Sequence, residues 1–237
     1  MRKPRLEYAW RTHKGRVRAL NEDAVAVFPD SGLVIVADGI GGASAGEVAS
    51  RLATEVIAER IRGLEPLPGG REEVRRIARE AVEEANRAIW RSSRSSPSYA
   101  GMGTTVVVGL AGPQRLVFAH VGDSRLYLLR DRELRQLTRD HSLIQEVVDQ
   151  GFFPSLEEAQ RCGINDNILT RGLGSATPVD VDAGDVDVRP GDLFLFCTDG
   201  LTGMVAEDSL QRTLVSAGKG LDGVTEELVH IAYARGG

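Results

Sequence analysis

Four aspartates in this chain stand where acids are costly to place. LVIVADGIGG carries an apolar strand pattern to its end at Asp38, followed by Gly39, and LFLFCTDGLTG carries another to Asp199, followed by Gly200. Asp123 lies between two strand patterns in HVGDSRLYLL, beside Gly122, and Asp23 opens a strand directly after Asn21 and Glu22. Any one Asp-Gly pair is ordinary turn chemistry, since Asp tolerates the left-handed region and Gly supplies positive φ. The combination points elsewhere. Buried strands that deliver several carboxylates to one spot build a negative cluster that is stable only when cations neutralise it. Carboxylates, carbonyls and water are hard oxygen ligands, suited to Mg²⁺ or Mn²⁺ rather than to zinc or copper. The adjacent glycines let the backbone approach an ion closely. Such a site suits phosphate ester hydrolysis, where two ions activate a water and offset charge on the phosphoryl oxygens. Arg18, five residues before Asp23, is the candidate guanidinium for the phosphate. Spacing alone equally allows it to be a solvated strand charge.

The elements that must hold these residues are legible as alternating patterns. Asp23–Phe28 alternates, and Leu33–Ala37 is a short apolar run after a turn at Pro29, Ser31 and Gly32. Helical spacing follows in ASAGEVASRLATEVIAERIRGL, with Val48, Leu52 and Val56 beside Ala49, Ala53, Ile57 and Ile61. Gly63 and the stretch Pro66–Gly70 end that helix. A second helix keeps Val74, Ile77, Ala78, Ala81, Val82, Ala85 and Ile89 on one face. A strand meander comes next: Thr104–Leu110, Arg115–Val121, Arg125–Arg130 and Glu133–Gln136. Residues 142–151 read as helix, and 152–170 as irregular with a short helix near Leu156–Arg161. Strands return at Val179–Val188 and Leu193–Cys197, and helices at 207–216 and 221–234 close the chain. Runs of strands and runs of helices imply an α+β fold rather than a doubly wound sheet.

Composition narrows the function class. The 237 residues carry a formal net charge of −5, which gives no broad attraction to nucleic acid or anionic membrane. No run approaches the roughly 20 apolar residues of a membrane helix. The first fifteen residues lack the apolar stretch of a signal peptide. Two unpaired cysteines, Cys162 and Cys197, fit a reducing compartment, so the expectation is a cytoplasmic protein. The four histidines are scattered and show no zinc-type ligand spacing.

GRVRALNEDA (15–24), VADGIGGASAGEVAS (36–50), GTTVVV (103–108), HVGDSRLYLLRD (120–131), LTRDHSL (137–143), LTRGLG (169–174) and DLFLFCTDGLTGMV (192–205) together resemble the metal-dependent protein phosphatases, the type 2C Ser/Thr phosphatases, in their compact bacterial form. The motifs occur in family order across most of the chain. The resemblance implies two antiparallel β-sheets in a central sandwich flanked by helix pairs, with a flap over about 142–170, in one domain spanning 1–237. It implies hydrolysis of phosphoserine and phosphothreonine by direct attack of a metal-activated water, without a phosphoenzyme. Asp38 would bridge two central Mn²⁺ or Mg²⁺ ions and the Gly39 carbonyl would join it. Asp23, with Glu22 as a contributor, would serve one ion and Asp199 the other. Asp123 would join Asp199 around a third. Arg18 would meet the substrate phosphate. Thr104, Thr105, Ser124 and Arg125 would pack or order turns. The implied partners are phosphorylated proteins, including a Ser/Thr kinase, acted on by a monomer with no part for nucleic acid.

The chain departs from the family pattern in three places. Family members usually finish with Gly-Gly, one residue, Asp-Asn and a final strand. This sequence stops at Arg235-Gly236-Gly237, so the expectation is that the Asp-Asn ligand motif and the last strand are missing through truncation. That absence motivates the alternative of a non-catalytic regulatory or binding pseudophosphatase of the same fold. Ile40 stands where many eukaryotic members carry a proposed general acid, and Ile cannot transfer a proton. Gly163-Ile164-Asn165-Asp166-Asn167 replaces a common bacterial His-Pro-x-Arg-Asn pattern in the flap, so substrate preference is expected to differ. An aspartyl nucleophile of the haloacid dehalogenase kind is disfavoured, because Val36 occupies the position two before Asp38.

Overall fold

In the computed structural model, the parity of buried residues along each strand explains the layering. The structure describes residues 6–41, 45–64, 70–112, 114–216 and 220–237. The first strands are β1 (Asp23–Phe28) and β2 (Leu33–Ile40), followed by helices α1 (Ala45–Arg62) and α2 (Arg71–Ser95). Next come β3 (Gly103–Thr104), β4 (Val106–Ala111), β5 (Arg115–Val121), β6 (Arg125–Arg130) and β7 (Glu133–Gln136). Two short helices, α3 (Leu143–Asp149) and α4 (Leu156–Arg161), precede β8 (Asp182–Asp187) and β9 (Leu193–Cys197). The last elements are α5 (Asp199–Thr202), α6 (Glu207–Val215) and α7 (Leu221–Ala234). All named strand pairs are antiparallel, in one sheet ordered β1-β2-β4-β5-β8 with β3 attached to β2, and a second ordered β7-β6-β9.

On the larger sheet, Leu33, Ile35 and Ala37 of β2, Val106, Val108 and Leu110 of β4, and Val117, Ala119 and Val121 of β5 join one core with α1 and α2. The intervening Val36, Val107, Leu116 and Phe118 point the other way, toward Leu126 of the smaller sheet, with Phe194 and Phe196 against them. Side chains alternate faces along a strand, so odd and even positions feed separate cores. Helices α1 and α2 bury narrow stripes rich in small residues: Ala49, Ala53, Ile57 and Ile61 on the first, and Ile77, Ala78, Ala81, Val82, Ala85 and Ile89 on the second. Helices α6 and α7 cover the outer face of the smaller sheet through Leu210, Leu214, Val224 and Leu228 against Leu129. The result is the expected α+β sandwich of two antiparallel sheets with helices outside.

Three expectations are corrected. Strand β2 does not end at Asp38 but runs to Ile40, because Gly39 and Ile40 pair with Thr104 and Gly103 of β3. The strand expected from Val179 begins at Asp182, where pairing with β5 starts at His120. The apolar strand expected to run to Asp199 stops at Cys197, and Asp199 opens helix α5. The helix reading over residues 43–44 and the breaker over 66–69 fall outside the described residues.

Candidate functional site

Parity also places the acids. Asp38 shares the face of Val36, toward the space between the sheets, and Asp23 is its direct cross-strand partner. Like charges directly opposite each other on a sheet repel, so this pairing is a cost that the fold carries. Asp123 follows β5 in the link by which the chain crosses from the larger sheet to β6 of the smaller one, and Asp199 follows β9 in that smaller sheet. The two sheets therefore each contribute carboxylates to the same cleft, which Asp23, Asp38, Asp123 and Asp199 all line.

The cluster behaves as crowded acids without cations should. Burial first, then Asp23 and Asp199, push the Asp38 carboxyl up to about 10. Burial, with Asp199 and Glu22 adding repulsion, raises Asp23 to about 6 even though Thr198 donates a hydrogen bond to its Oδ2 at 3.1 Å. Asp123 also rises to about 6, through burial and then Asp199. Among the described residues, no three of these carboxylates bring ligand atoms within 4.8 Å of one another.

A frame of hydrogen bonds holds Asp38 and Asp123 in register. The Thr105 hydroxyl accepts from the Asp38 amide at 3.1 Å, and the Thr104 hydroxyl donates to the Asp38 carbonyl at 2.7 Å. Thr105 Oγ1 also lies 2.7 Å from Ser124 Oγ, which ties β2 to the turn of Asp123. Gly122 takes φ of +101° there, and a Cβ on it would meet Thr105 Cγ2 at 2.6 Å, so only glycine fits. Arg125 forms a bidentate pair with Asp140, with Nη2 at 2.6 Å from Oδ2, and thus orders the turn from outside the cluster. Gly39 is needed for close approach: a Cβ there would lie 2.2 Å from the Gly46 carbonyl oxygen of α1.

The remaining predicted residues lie at the rim. Glu22 is largely covered and accepts from Arg18 at 3.0 Å, while Arg18 itself is 73% exposed. Ile40 is exposed at the end of β2 and lines the same cleft. Residues 142–170 form a unit rooted at both ends: Ser142 bridges to Leu169, and the following Leu173 bridges to Thr104 beside the acids. Motif residues 42–44 fall outside the described residues. Sequence reasoning missed Thr198, whose hydroxyl fixes Asp23, and a convergence of His120, His141 and Asp182. The neighbouring Asp199 was a signal for the first. For the second no short-range signal exists.

Residues 12–228 match the model of the family described as protein phosphatase 2C. The chain belongs to the protein phosphatase 2C family. This protein phosphatase 2C is 40% identical over 210 residues to the serine/threonine phosphatase stp of Listeria monocytogenes, covering 87% of this chain and 82% of that one. Its fold is similar to that of the Mycobacterium tuberculosis serine/threonine phosphatase PstP, with TM-score 0.85 and 34% identity over 95% of this chain and 91% of the other. It is also similar to the catalytic domain of PstP in complex with two manganese ions, with TM-score 0.82 and 34% identity over 95% and 90% of the two chains. Among the described residues, no helix of the phosphatase is long and apolar enough to cross a membrane.

Proposed function

We propose that this chain is a metal-dependent phosphatase acting on phosphoserine and phosphothreonine in proteins, with Asp23, Asp38, Asp123 and Asp199 as the metal-holding set. The observation that carries the reading is the cluster itself: three half-buried carboxylates driven to hold protons by desolvation and by one another. A donor set of that kind fits hard divalent cations, which replace the protons and remove the repulsion. Asp38 and the Gly39 carbonyl would hold the two central Mn²⁺ or Mg²⁺ ions jointly, Asp23 with Glu22 would serve one and Asp199 the other. Asp123 would share a third with Asp199. When bound, these ions supply an acidified water as nucleophile and positive charge for the phosphoryl oxygens.

The protein's own part is positioning. Thr104 and Thr105 fix the backbone of Asp38 and Thr198 fixes the Asp23 carboxylate before any ligand arrives, so little reorganisation is needed. Arg18 stands on the cleft rim with its guanidinium in solvent, able to release Glu22 and take phosphate oxygens bidentately. Ile40 donates no proton, so the leaving group must be protonated by water or by another residue. We read residues 1–237 as one phosphatase domain with a flap at 142–170, acting as a cytoplasmic monomer opposite a Ser/Thr kinase. The test is hydrolysis of a phosphothreonine peptide by the full chain: the expected result is Mn²⁺-dependent turnover lost in Asp38→Asn, and turnover unaffected by EDTA would overturn the reading.

A further inference from the structure

His120 on β5 and His141 ahead of α3 stack with ring centroids 4.7 Å apart. Each is only 2% exposed. Asp182 is the cross-strand partner of His120 in the β5–β8 ladder, and its Oδ2 lies 3.2 Å from His141 Nε2. One ligand atom from each of the three residues lies within 4.8 Å of the others. None of the three belongs to the aspartate cluster. His120 Nδ1 is buried with no hydrogen-bond partner. Burial, and then the neighbouring His141, hold the His120 imidazole down to about 3, and burial lowers His141 as well. Both rings are therefore neutral near pH 7, the form in which imidazole binds metal.

We propose that His120, His141 and Asp182 form a second, regulatory site for a borderline transition-metal ion such as Zn²⁺, and that filling it turns the phosphatase down. Two imidazoles and a carboxylate suit Zn²⁺, whereas an all-oxygen cluster suits Mn²⁺ and Mg²⁺, so the two sites differ in preference. Bonds of about 2.0–2.1 Å in tetrahedral geometry separate ligand atoms by about 3.3–3.4 Å. The His141–Asp182 pair stands at that spacing now, and His120, stacked on His141 at an interplanar angle of 22°, has to rotate out of the stack to turn its in-plane lone pair on the same ion. Arg171 Nη1 lies 3.3 Å from the other oxygen, Asp182 Oδ1, and would keep the carboxylate oriented while Oδ2 binds.

The link to the aspartates runs through one proton. His141 Nδ1 accepts the Gly122 amide hydrogen at 3.1 Å, so the proton of the neutral ring sits on Nε2 and faces Asp182. An ion at Nε2 needs that lone pair. The proton then moves to Nδ1, the ring stays neutral and no proton is released. Nδ1–H and the Gly122 N–H now face each other as two donors, and their hydrogen bond is lost. Gly122 immediately precedes Asp123 and packs tightly on Thr105. Occupation of the histidine site therefore unseats the turn that carries Asp123. The loss of turnover rests on the phosphatase reading above; the binding itself does not.

The experiment saturates the full chain with Mn²⁺ and then adds Co²⁺, which absorbs strongly in the visible range in low-coordinate nitrogen-containing sites and weakly in octahedral oxygen sites. One equivalent of a strong band, bleached by Zn²⁺, is expected, together with a fall in turnover that more Mn²⁺ does not restore. Asp182→Asn should lose the band, shift the Zn²⁺ midpoint upward by about tenfold or more, and leave turnover without Zn²⁺ unchanged. His120→Gln should behave likewise; if it does not fold, Asp182→Asn, at a half-exposed position, carries the comparison. No band, or Zn²⁺ inhibition that Mn²⁺ relieves equally in wild type and Asp182→Asn, would overturn the site. A band without loss of turnover would overturn the switch. Because the band is read without substrate, failure of the site and failure of the phosphatase reading are distinguishable.

Discussion

The molecule buries carboxylates in two opposite ways. Asp140, Asp185 and Asp192 have side chains only 9%, 6% and 2% exposed, and each is met by arginine: Arg125 for Asp140, Arg71, Arg75 and Arg115 for Asp185, and Arg130 for Asp192. Asp23, Asp38 and Asp123 are half-buried, yet what surrounds them is mostly other carboxylates. The first set is complete within the chain. The second, on the proposed reading, is completed by cations from outside. Burial of an acid is therefore no sign of function by itself; an acid whose counter-charge the fold withholds is.

Mutation separates the two sets most sharply at Asp38. Asp38→Asn should cost turnover on the order of 10³-fold, by the scale of losing one preorganised electrostatic contact. In metal-free protein at pH 8 the same change should raise the melting temperature, because Asp38, ionised in the unfolded chain, must take up a proton to fold there and Asn need not. A lower melting temperature would break the contrast. At Arg125 the sign reverses. Arg125→Ala strands Asp140 and should cost about 3–5 kcal/mol in denaturant unfolding, whereas Arg125→Met with Asp140→Leu should recover most of it.

The pH signatures of the two sets also oppose each other. Asp23, Asp38 and Asp123 hold protons more tightly folded than unfolded, so their stabilising contribution is full below about pH 4. It is lost as pH rises through about 6 for Asp23 and Asp123, and toward about 10 for Asp38. Metal-free protein should melt progressively lower between pH 5 and pH 9, on the scale of about a few degrees, and saturating Mn²⁺ should flatten that slope. Asp192 is the counter-case. Burial opposes its charge, but Arg130 outweighs that and lowers its pKa, so its contribution is lost as pH falls. The smallest effect belongs to Arg18→Ala. It should raise KM several-fold while leaving unfolding free energy within about 0.5 kcal/mol of wild type, since that side chain is largely in solvent.

Much of this was legible in the sequence because strand parity and Asp-Gly punctuation are local. Apolar runs at β2, β4 and β5 marked the strands, the ordered family motifs implied the sandwich, and apolar runs ending in acids marked the cleft. What escaped depends on pairing between distant strands. The continuation of β2 past Asp38 depends on β3, more than sixty residues later, and nothing near Asp38 announces it. The His120–Asp182 register arises from the β5–β8 ladder, and His141 reaches it from another segment, so four scattered histidines gave no metal spacing to read. The arginine partners of Asp140 and Asp192 lie 15 and 62 residues away, which left structural and functional aspartates alike on paper.

The account rests on cations completing the aspartate cluster, and calorimetric titration of Mn²⁺ into the metal-free chain at pH 8, with Asp38→Asn in parallel, tests that directly. Saturable binding of about two or more ions to the wild type, with loss of at least one class of site in Asp38→Asn, is the predicted result. Equal binding by both proteins, or none by the wild type, would contradict it.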